Sequence, residues 1–523
     1  MSEIIKLRLR PEDALNNQVI LDALSKKIQT KSIGNWAIVH RSLDARQKSP
    51  IYELQIAIYG NLNPPKPFRL EAKEISNRKE VAVIGTGPAG LFCGLHLVRL
   101  GFRPIFLERG KPVERRPADL RSINVHQTVN PDSNYCFGEG GAGTYSDGKL
   151  YTRSHKRGSV SEVLQIFIQF GADPSISIDA HPHIGTNKLP RIIKNIREFL
   201  ISVGAEFHFE SRVTDFKIEG NQIKGLVLNK DIHLECQDVV VATGHSARDI
   251  FDIYQKHGLS YLQKPIAVGV RVEHPQELID ELQYKTFTRN SHLPPAEYSM
   301  VTQVENLGVY SFCMCPGGVI APCATAPGEI VTNGWSSSQR SRPTANSGIV
   351  VTCKPDMVFG SEIGTKDRPI SMLDFQKRIE NKAFLVSEKS QKAPAQRLTD
   401  FLEGRVSSFL PKTSYPPGVV SSNLIELFPN WISEALRSAF RNFDQKKKGY
   451  VTENAILHAP ETRTSSPIQI RRDPISLEHP QCEGLYPCGE GAGYAGGIIS
   501  AAIDGTKVAS SIAAKYSQSL SKK

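Results

Sequence analysis

A chain of 523 residues is too long for one ordinary core and implies two or three domains. Hydrophobic residues make up 40% and charged residues 22%, a globular mix, and no apolar run approaches the roughly 18 residues a membrane helix needs. The 64 Lys and Arg exceed the 53 Asp and Glu by 11, which suits a phosphate-bearing ligand; the longest basic run is only Lys446–Lys448, so nucleic acid is the minor expectation.

Residues 1–70 read as a small α/β unit of ferredoxin-like type. Strands are expected over 4–9, 36–41 and 51–59, a helix over 13–28, a polar turn over 44–50, and a Pro-rich close at Asn63-Pro-Pro-Lys-Pro67. The unit holds 11 Lys and Arg against 6 Asp and Glu, so it reads as a docking module or as a packing appendage. The first twenty residues carry Glu3, Glu12 and Asp13 without a continuous apolar core, so no targeting segment is expected and a cytoplasmic location is.

The organising stretch is Glu80 to Gly110. An apolar strand, Val81–Ile84, is followed by Gly85, Gly87 and Gly90 at G-x-G-x-x-G spacing, and a helix opens through Pro88 and Ala89 with Leu91, Leu95 and Val98 on one face. A second strand over 104–107 ends at Glu108 and Arg109, with Glu108 eighteen positions past the last motif glycine. This is the order a βαβ dinucleotide site requires: a tight turn, backbone close to a pyrophosphate, helix packed on strand, and an acid for a ribose. The helix N-terminus adds a positive dipole end.

Residues 111–136 have no clear period and read as a crossover. Five glycines then fall within Gly138–Gly148, a density that is costly unless backbone must approach a flat or phosphorylated ligand, or the segment is a structural loop. Helices are expected over 160–170 and 188–203, strands over 205–209 and 222–229, and a buried strand ending in Ala242-Thr243-Gly244. From about 263 to 454 prolines increase and an alternating strand is expected over 266–272. A Cys313–Gly318 turn follows, then helices over 373–386 and 431–443; this is a second α+β domain inserted into the first. Nucleotide-domain signals return in Gly489, Glu490, Gly497 and Ile498 with a helix over 497–516. The boundaries expected are therefore 1–70, then 79–262 with 455–518, and 263–454 between them.

The nine cysteines are scattered and odd in number, not a disulfide framework, and are expected to be reduced. Cys313 and Cys315 form C-x-C, short of a C-x-x-C dithiol or a zinc set. His181 and His183 have no third or fourth ligand nearby, and the stretch after Phe443 that superficially resembles a calcium loop places Lys446 and Lys448 at ligand positions, so no metal is expected. Arg463 is the charge chosen for a substrate anion or for the bound cofactor, with a structural ion pair to Glu461 or Asp473 as the alternative. Asp147, Lys149 and His183 complete the catalytic candidates, and Arg271 is a weaker one.

Three segments together resemble the glutathione-reductase-like flavoproteins: Gly85–Gly90 with Glu108, Val240–Gly244, and Gly489-Glu490, where those proteins carry Gly-Asp. Longer stretches, 138–150, 181–189, 313–318, 345–348 and 461–470, resemble a widespread family of uncharacterised FAD-dependent dehydrogenases (NAD(P)/FAD-dependent oxidoreductases), and Arg41–Arg46 resembles that family's N-terminal extra domain. The resemblance implies a Rossmann-like, GR2-type FAD-binding domain and a redox role. It implies that Gly85, Gly87, Pro88, Ala89 and Gly90 meet the FAD pyrophosphate, Glu108 with Arg109 the adenosine ribose, and Val213 the adenine. Gly140, Gly141, Thr144 and Ser146 would run beside the isoalloxazine. Ala242, Thr243 and Gly244 would lie over the cofactor, Gly489 and Glu490 by the ribityl chain, and Gly497 and Ile498 at the pyrimidine edge.

Only one complete G-x-G-x-x-G unit is present, so NAD(P)H or ferredoxin is expected as a transient electron partner at most. The leading expectation is a soluble FAD-dependent oxidoreductase (a dehydrogenase) acting on an unidentified small molecule where the two domains meet. The alternatives are a flavoprotein that acts on or binds RNA, and a non-catalytic FAD-bound electron-transfer or scaffold protein.

Overall fold

A computed structural model describes residues 3–30, 32–46, 49–72, 74–152, 158–359 and 371–521. The N-terminal unit is β1 (Glu3–Leu9), α1 (Asn17–Ile28), β2 (Asn35–Asp44) and β3 (Ile51–Gly60), an antiparallel sheet in the order β1-β3-β2. That is three strands of the ferredoxin-like order; a fourth strand and second helix do not follow among the described residues before β4. The helix begins at Asn17 rather than Asp13, because Asn16 caps it by accepting from the Gln18 and Val19 amides. The expected 44–50 turn includes residues 47 and 48, outside the described residues.

The fingerprint follows as β4 (Glu80–Ile84), α2 (Pro88–Arg99) and β5 (Arg103–Leu107). The 111–136 crossover contains a helix that periodicity did not show, α3 (Arg116–His126). Its faces are mixed because its buried Arg116 serves as a polar anchor rather than as surface. Next come α4 (Val160–Gln169), α5 (Leu189–Ser202), β6 (Glu206–His208), the antiparallel strands β7 (Val213–Glu219), β8 (Gln222–Leu228) and β9 (Ile232–Glu235), and then β10 (Val239–Val241) and α6 (Arg248–Lys256).

The second region opens with β11 (Tyr261–Gln263), β12 (Ile266–Pro275), α7 (Gln276–Tyr284), β13 (Val301–Val304), β14 (Leu307–Cys315), β15 (Gly318–Pro322), β16 (Thr332–Ser336) and β17 (Thr344–Cys353). It continues through α8 (Pro355–Phe359), α9 (Ser371–Val386), β18 (Ala393–Arg397), α10 (Leu398–Glu403), β19 (Val419–Ser421) and α11 (Asn430–Lys446). The chain ends with β20 (Ile456–Glu461), β21 (Ile468–Ile470), β22 (Leu485–Pro487) and α12 (Ile498–Ser521).

Two sheets position the site. One is parallel, ordered β22-β10-β4-β5-β6, with a core in which α2 and α12 pack on Val83 and Val240. The other has seven strands, ordered β13-β14-β17-β12-β20-β18-β19. It includes β20, so this sheet takes in Ile456–Glu461 on the far side of the boundary expected at 454. β12 lies at the middle of that sheet and is buried from Ile266 through His274, so it is not a half-exposed alternating strand: Arg271, Glu273 and His274 are inside and satisfied by partners. Cys313 to Cys315 are likewise strand, the end of β14, and the turn lies beyond them.

Candidate functional site

The four neighbouring parallel strands β5, β4, β10 and β22 end side by side, and each hands over to a segment marked by the sequence. These are Glu108 after β5, Gly85 after β4, Ala242–Gly244 after β10 and Gly489-Glu490 after β22. Ligands of open α/β sheets bind outside the carboxyl ends of the strands. A cavity of about 430 Å³ lies there, lined by Gly85, Gly87, Pro88, Ala89, Glu108, Arg109, Val213, Ala242, Thr243, Gly244, Glu490, Gly497 and Ile498. Gly141, Ser146, Asp147, Lys149 and Arg463 also line it, as do Phe312 and Cys313 from the second sheet.

The glycines divide by task. A Cβ at Gly90 would fall 2.0 Å from the Gly85 carbonyl oxygen, so the residue is glycine to let α2 close on its strand. Gly85 has φ +95°, with the Ala242 carbonyl 2.6 Å from where a Cβ would stand. By contrast, a Cβ at Gly87, Gly244, Gly496 or Gly497 would meet nothing within 4 Å, and all four line the cavity. The space they leave open is a cradle for a ligand against bare backbone, at the N-termini of α2 and α12. Gly489 faces Ala89 instead, and α12 can cross α2 closely because residue 505 is glycine: a Cβ there would fall 2.1 Å from the Ala89 carbonyl oxygen.

Gly140 and Thr144 support the loop from behind and do not line the cavity. The Gly140 amide donates to the Thr86 carbonyl and the buried Thr144 hydroxyl to the Glu139 carbonyl. Sequence reasoning missed their anchor. Arg116, fully buried, donates to the carbonyls of Glu139 (2.7 Å), Gly141 (3.0 Å) and Asn134 (2.7 Å), fixing the glycine-rich loop from α3. Burial lowers its pKa.

Glu108 reaches the expected place, and its carboxylate is already filled. Thr86 donates its amide and hydroxyl to one oxygen, at 3.0 and 2.7 Å; the Gly110 and Gly138 amides donate to the other, at 3.0 and 3.1 Å. Four donors match the lone-pair capacity of a carboxylate, so a ribose hydroxyl there would take the place of the one rotatable donor, Thr86 Oγ1. Arg109 is braced by Asp132 and Asp249 and lies over the Phe137 ring.

Arg463 lines the cavity without being free for an anion. Its guanidinium donates to Glu380 at 3.0 and 3.1 Å, Glu329 at 2.7 Å and Thr325 at 2.6 Å. Arg248 at the start of α6 binds the same two carboxylates, at 3.0 and 2.9 Å. The partners are thus neither Glu461 nor Asp473: Glu461 is held by Arg271 at 2.7 and 2.8 Å, which also occupies that weaker candidate, and Asp473 accepts backbone amides. Burial would raise the Glu380 carboxyl, yet Arg248 and Arg463 hold it down at about 2.

Asp147 is buried and gripped at 2.7 and 3.2 Å by Arg340, from the segment between β16 and β17; burial opposes and Arg340 outweighs it, lowering its pKa. Lys149 binds the Met314 carbonyl. His183 is not among the cavity lining; its Nε2 meets the Ser338 carbonyl at 3.2 Å, and burial and Arg340 lower its pKa. His245 does line the cavity, 3.9 Å from Glu490, and burial and Arg463 push its imidazole down to about 4, so it is neutral at pH 7. Its signal was its position directly after Ala242-Thr243-Gly244. Glu490 is pushed up to about 7 by burial. Among the described residues no cluster of metal-ligating side chains occurs, and no helix is long and apolar enough to cross a membrane.

An uncharacterized protein of Clostridium beijerinckii is 39% identical over 523 residues, covering 95% of this chain and 96% of that one. Residues 265–464 match the family model described as FAD-dependent protein, C-terminal domain-like. This chain belongs to that family of FAD-dependent proteins. Residues 1–59 match a domain of unknown function. FAD is the family's cofactor, and the open cradle of Gly87, Gly244, Gly496 and Gly497 at two helix N-termini fits it. Among solved structures, a geranylgeranyl bacteriochlorophyll reductase-like protein from Thermoplasma acidophilum is 11% identical with TM-score 0.36, covering 84% of this chain and 79% of that chain. Glycine oxidase from Bacillus cereus is 12% identical with TM-score 0.32, covering 84% and 96%. Both likenesses are too slight to carry fold detail or function.

Proposed function

We propose that this family member is an FAD-dependent oxidoreductase that converts a small molecule where the parallel sheet meets the seven-stranded sheet. The observation that carries this reading is the single cavity wall built from both: strand ends Gly85, Glu108, Gly244 and Glu490 on one side, and Phe312 and Cys313 of β14 on the other. In this reading the FAD domain has the glutathione-reductase-like GR2 arrangement, and the domains run 1–70, 79–262 with 455–518, and 263–454, with β20 joined to the last. Gly85 to Gly90 hold the pyrophosphate, Glu108, Arg109 and Val213 the adenosine half, and Ser146, Gly497 and Ile498 the ring system. FAD supplies a ring that takes up or releases an electron pair.

The chain's own groups divide the remaining work. The backbone cradle and the N-termini of α2 and α12 bind the anionic centre of the cofactor. Glu490 is positioned to hold a proton at neutral pH, because burial has brought its carboxyl to about 7. His245 stays neutral beside it and accepts or donates one hydrogen bond. Asp147–Arg340 and the Arg248–Glu380–Arg463–Glu329 cluster orient the two domains rather than bind substrate. An electron partner such as NAD(P)H or ferredoxin would meet this site transiently.

The reading is tested by anaerobic mixing of FAD-loaded protein with NADH, NADPH, reduced ferredoxin and a panel of small metabolites, watched by flavin bleaching. Bleaching by at least one at a saturating rate is expected. A flavin that none of them reduces or reoxidises contradicts the enzyme reading and leaves an FAD-bound scaffold.

A further inference from the structure

β14 carries a break in register that ends at the cavity. Phe312 pairs with Gly348 and Cys315 with Asn346, so three steps on β14 oppose two on β17, a β-bulge. Cys313 occupies the bulge with φ +48°, a left-handed conformation that L side chains seldom adopt. The bulge turns Cys313 into the cavity wall while Cys315, two residues on, remains buried.

The two cysteines are in direct contact: the Cys315 thiol donates to the Cys313 carbonyl oxygen at 3.3 Å. Cations surround the pair: Lys149 binds the carbonyl of Met314 between the two cysteines, and Arg271 donates to the Cys313 carbonyl at 3.3 Å. The facing carboxylates are otherwise engaged, Asp147 by Arg340 and Glu461 by Arg271, and Glu490 is the remaining acid near Cys313. The Cys315 hydrogen bond, with Lys149 and Arg271, outweighs burial and brings the Cys313 thiol down to about 5, while Cys315 is raised well above an ordinary thiol. An accessible thiolate backed by a buried protonated partner is the arrangement of an attacking and a resolving thiol. Packing alone accounts for neither the left-handed backbone nor the opening onto the cavity.

We propose that Cys313 and Cys315 are a redox-active dithiol that exchanges an electron pair with FAD across this cavity. In the forward sense the Cys313 thiolate and the Cys315 thiol close one S–S bond, and their electron pair and the Cys315 proton pass to oxidised FAD, giving the reduced flavin anion. Charge, hydrogen and electrons balance without another reactant, and the reverse step reopens the disulfide. The pair thereby stores one electron pair between flavin and a thiol or disulfide substrate. The proposal rests on the FAD reading above.

Three measurements on the full chain test it. An anaerobic reductive titration of air-oxidised, FAD-loaded protein is expected to consume about twice the reductant that its flavin alone requires, and C315S only the flavin's share. Mass spectrometry of the tryptic segment 290–340 is expected to show the oxidised form lighter by two hydrogens, with the loss absent in C313S. Alkylation of Cys313 in the C315A variant and in the wild type, followed against pH, is expected to separate: the wild type reacts through a thiolate well below the ordinary thiol range, and the variant, lacking the hydrogen bond, has its inflection shifted upward. Protein that takes up no FAD removes the flavin reading and the exchange with it. Protein that binds FAD but titrates identically in wild type and C315S, with the 290–340 segment unchanged by oxidation, overturns the exchange alone.

Discussion

At the residue scale, Gly87 tests the cradle most cleanly. Its φ of −72° suits any residue and its Cβ position is free of protein, so Gly87→Val leaves the fold intact and fills space the ligand needs. FAD affinity is expected to fall by about 100-fold, about 2.8 kcal/mol, with the melting temperature of the FAD-free protein moving by less than about 2 °C; flavin retention and a melt measure both. Glu490 gives a pH signature. Its folded pKa, raised to about 7, lies above the ordinary 4.5 of the unfolded chain, so its contribution to stability is complete below 4.5 and is lost as pH rises through 7. Glu490→Gln is expected to flatten that part of the melting-temperature profile by about 2–4 °C. Gly87 and Glu490 were both legible in the sequence, one from spacing and one from a resemblance. The full engagement of Arg463 was not, because Glu329 and Glu380 stand more than eighty residues from it, and long-range ion pairs leave no local pattern.

At the element scale, α3 and β14 show where periodicity fails. α3 has a buried arginine on its inner face, so polarity ceased to mark the outside. Its task is to hold the 138–144 loop by the carbonyls. Arg116→Met is expected to loosen that loop, reducing FAD affinity by about tenfold or more while α2 and the parallel sheet stay folded; hydrogen exchange of the loop amides would report the change. In β14 a cysteine occupies a left-handed bulge, and since sequence preferences assign that conformation to glycine or asparagine, the segment read as a turn. The fingerprint strand, helix and second strand, in contrast, agree with their expected positions within a residue, since continuous apolar runs and glycine spacing are local signals.

At the scale of the whole molecule, the two sheets are joined by buried ion pairs. Arg248 comes from the helix after β10, Glu380 from α9, and Arg463 from the chain returning out of the seven-stranded sheet. Removing one partner leaves a buried carboxylate uncompensated, so Arg463→Gln is expected to destabilise the protein by roughly 3–5 kcal/mol and lower its melting temperature in the absence of any substrate. A residue dedicated to a substrate anion would instead alter KM and leave the melt unchanged. Glycine-rich segments on either side of the second region are local signals that a sequence displays; the membership of β20 is not, since six apolar and polar residues alone do not reveal which sheet they join.

We propose that FAD is held at the carboxyl edge of the parallel sheet. This is tested most directly by the absorbance spectrum and melting temperature of the purified full-length chain before and after incubation with FAD. A bound flavin spectrum at about one FAD per chain and a rise of several degrees, of the size a ligand in excess of its Kd confers, are expected, both lost in Gly87→Val. A chain that shows no flavin absorbance and an unchanged melting temperature with FAD in excess would contradict it.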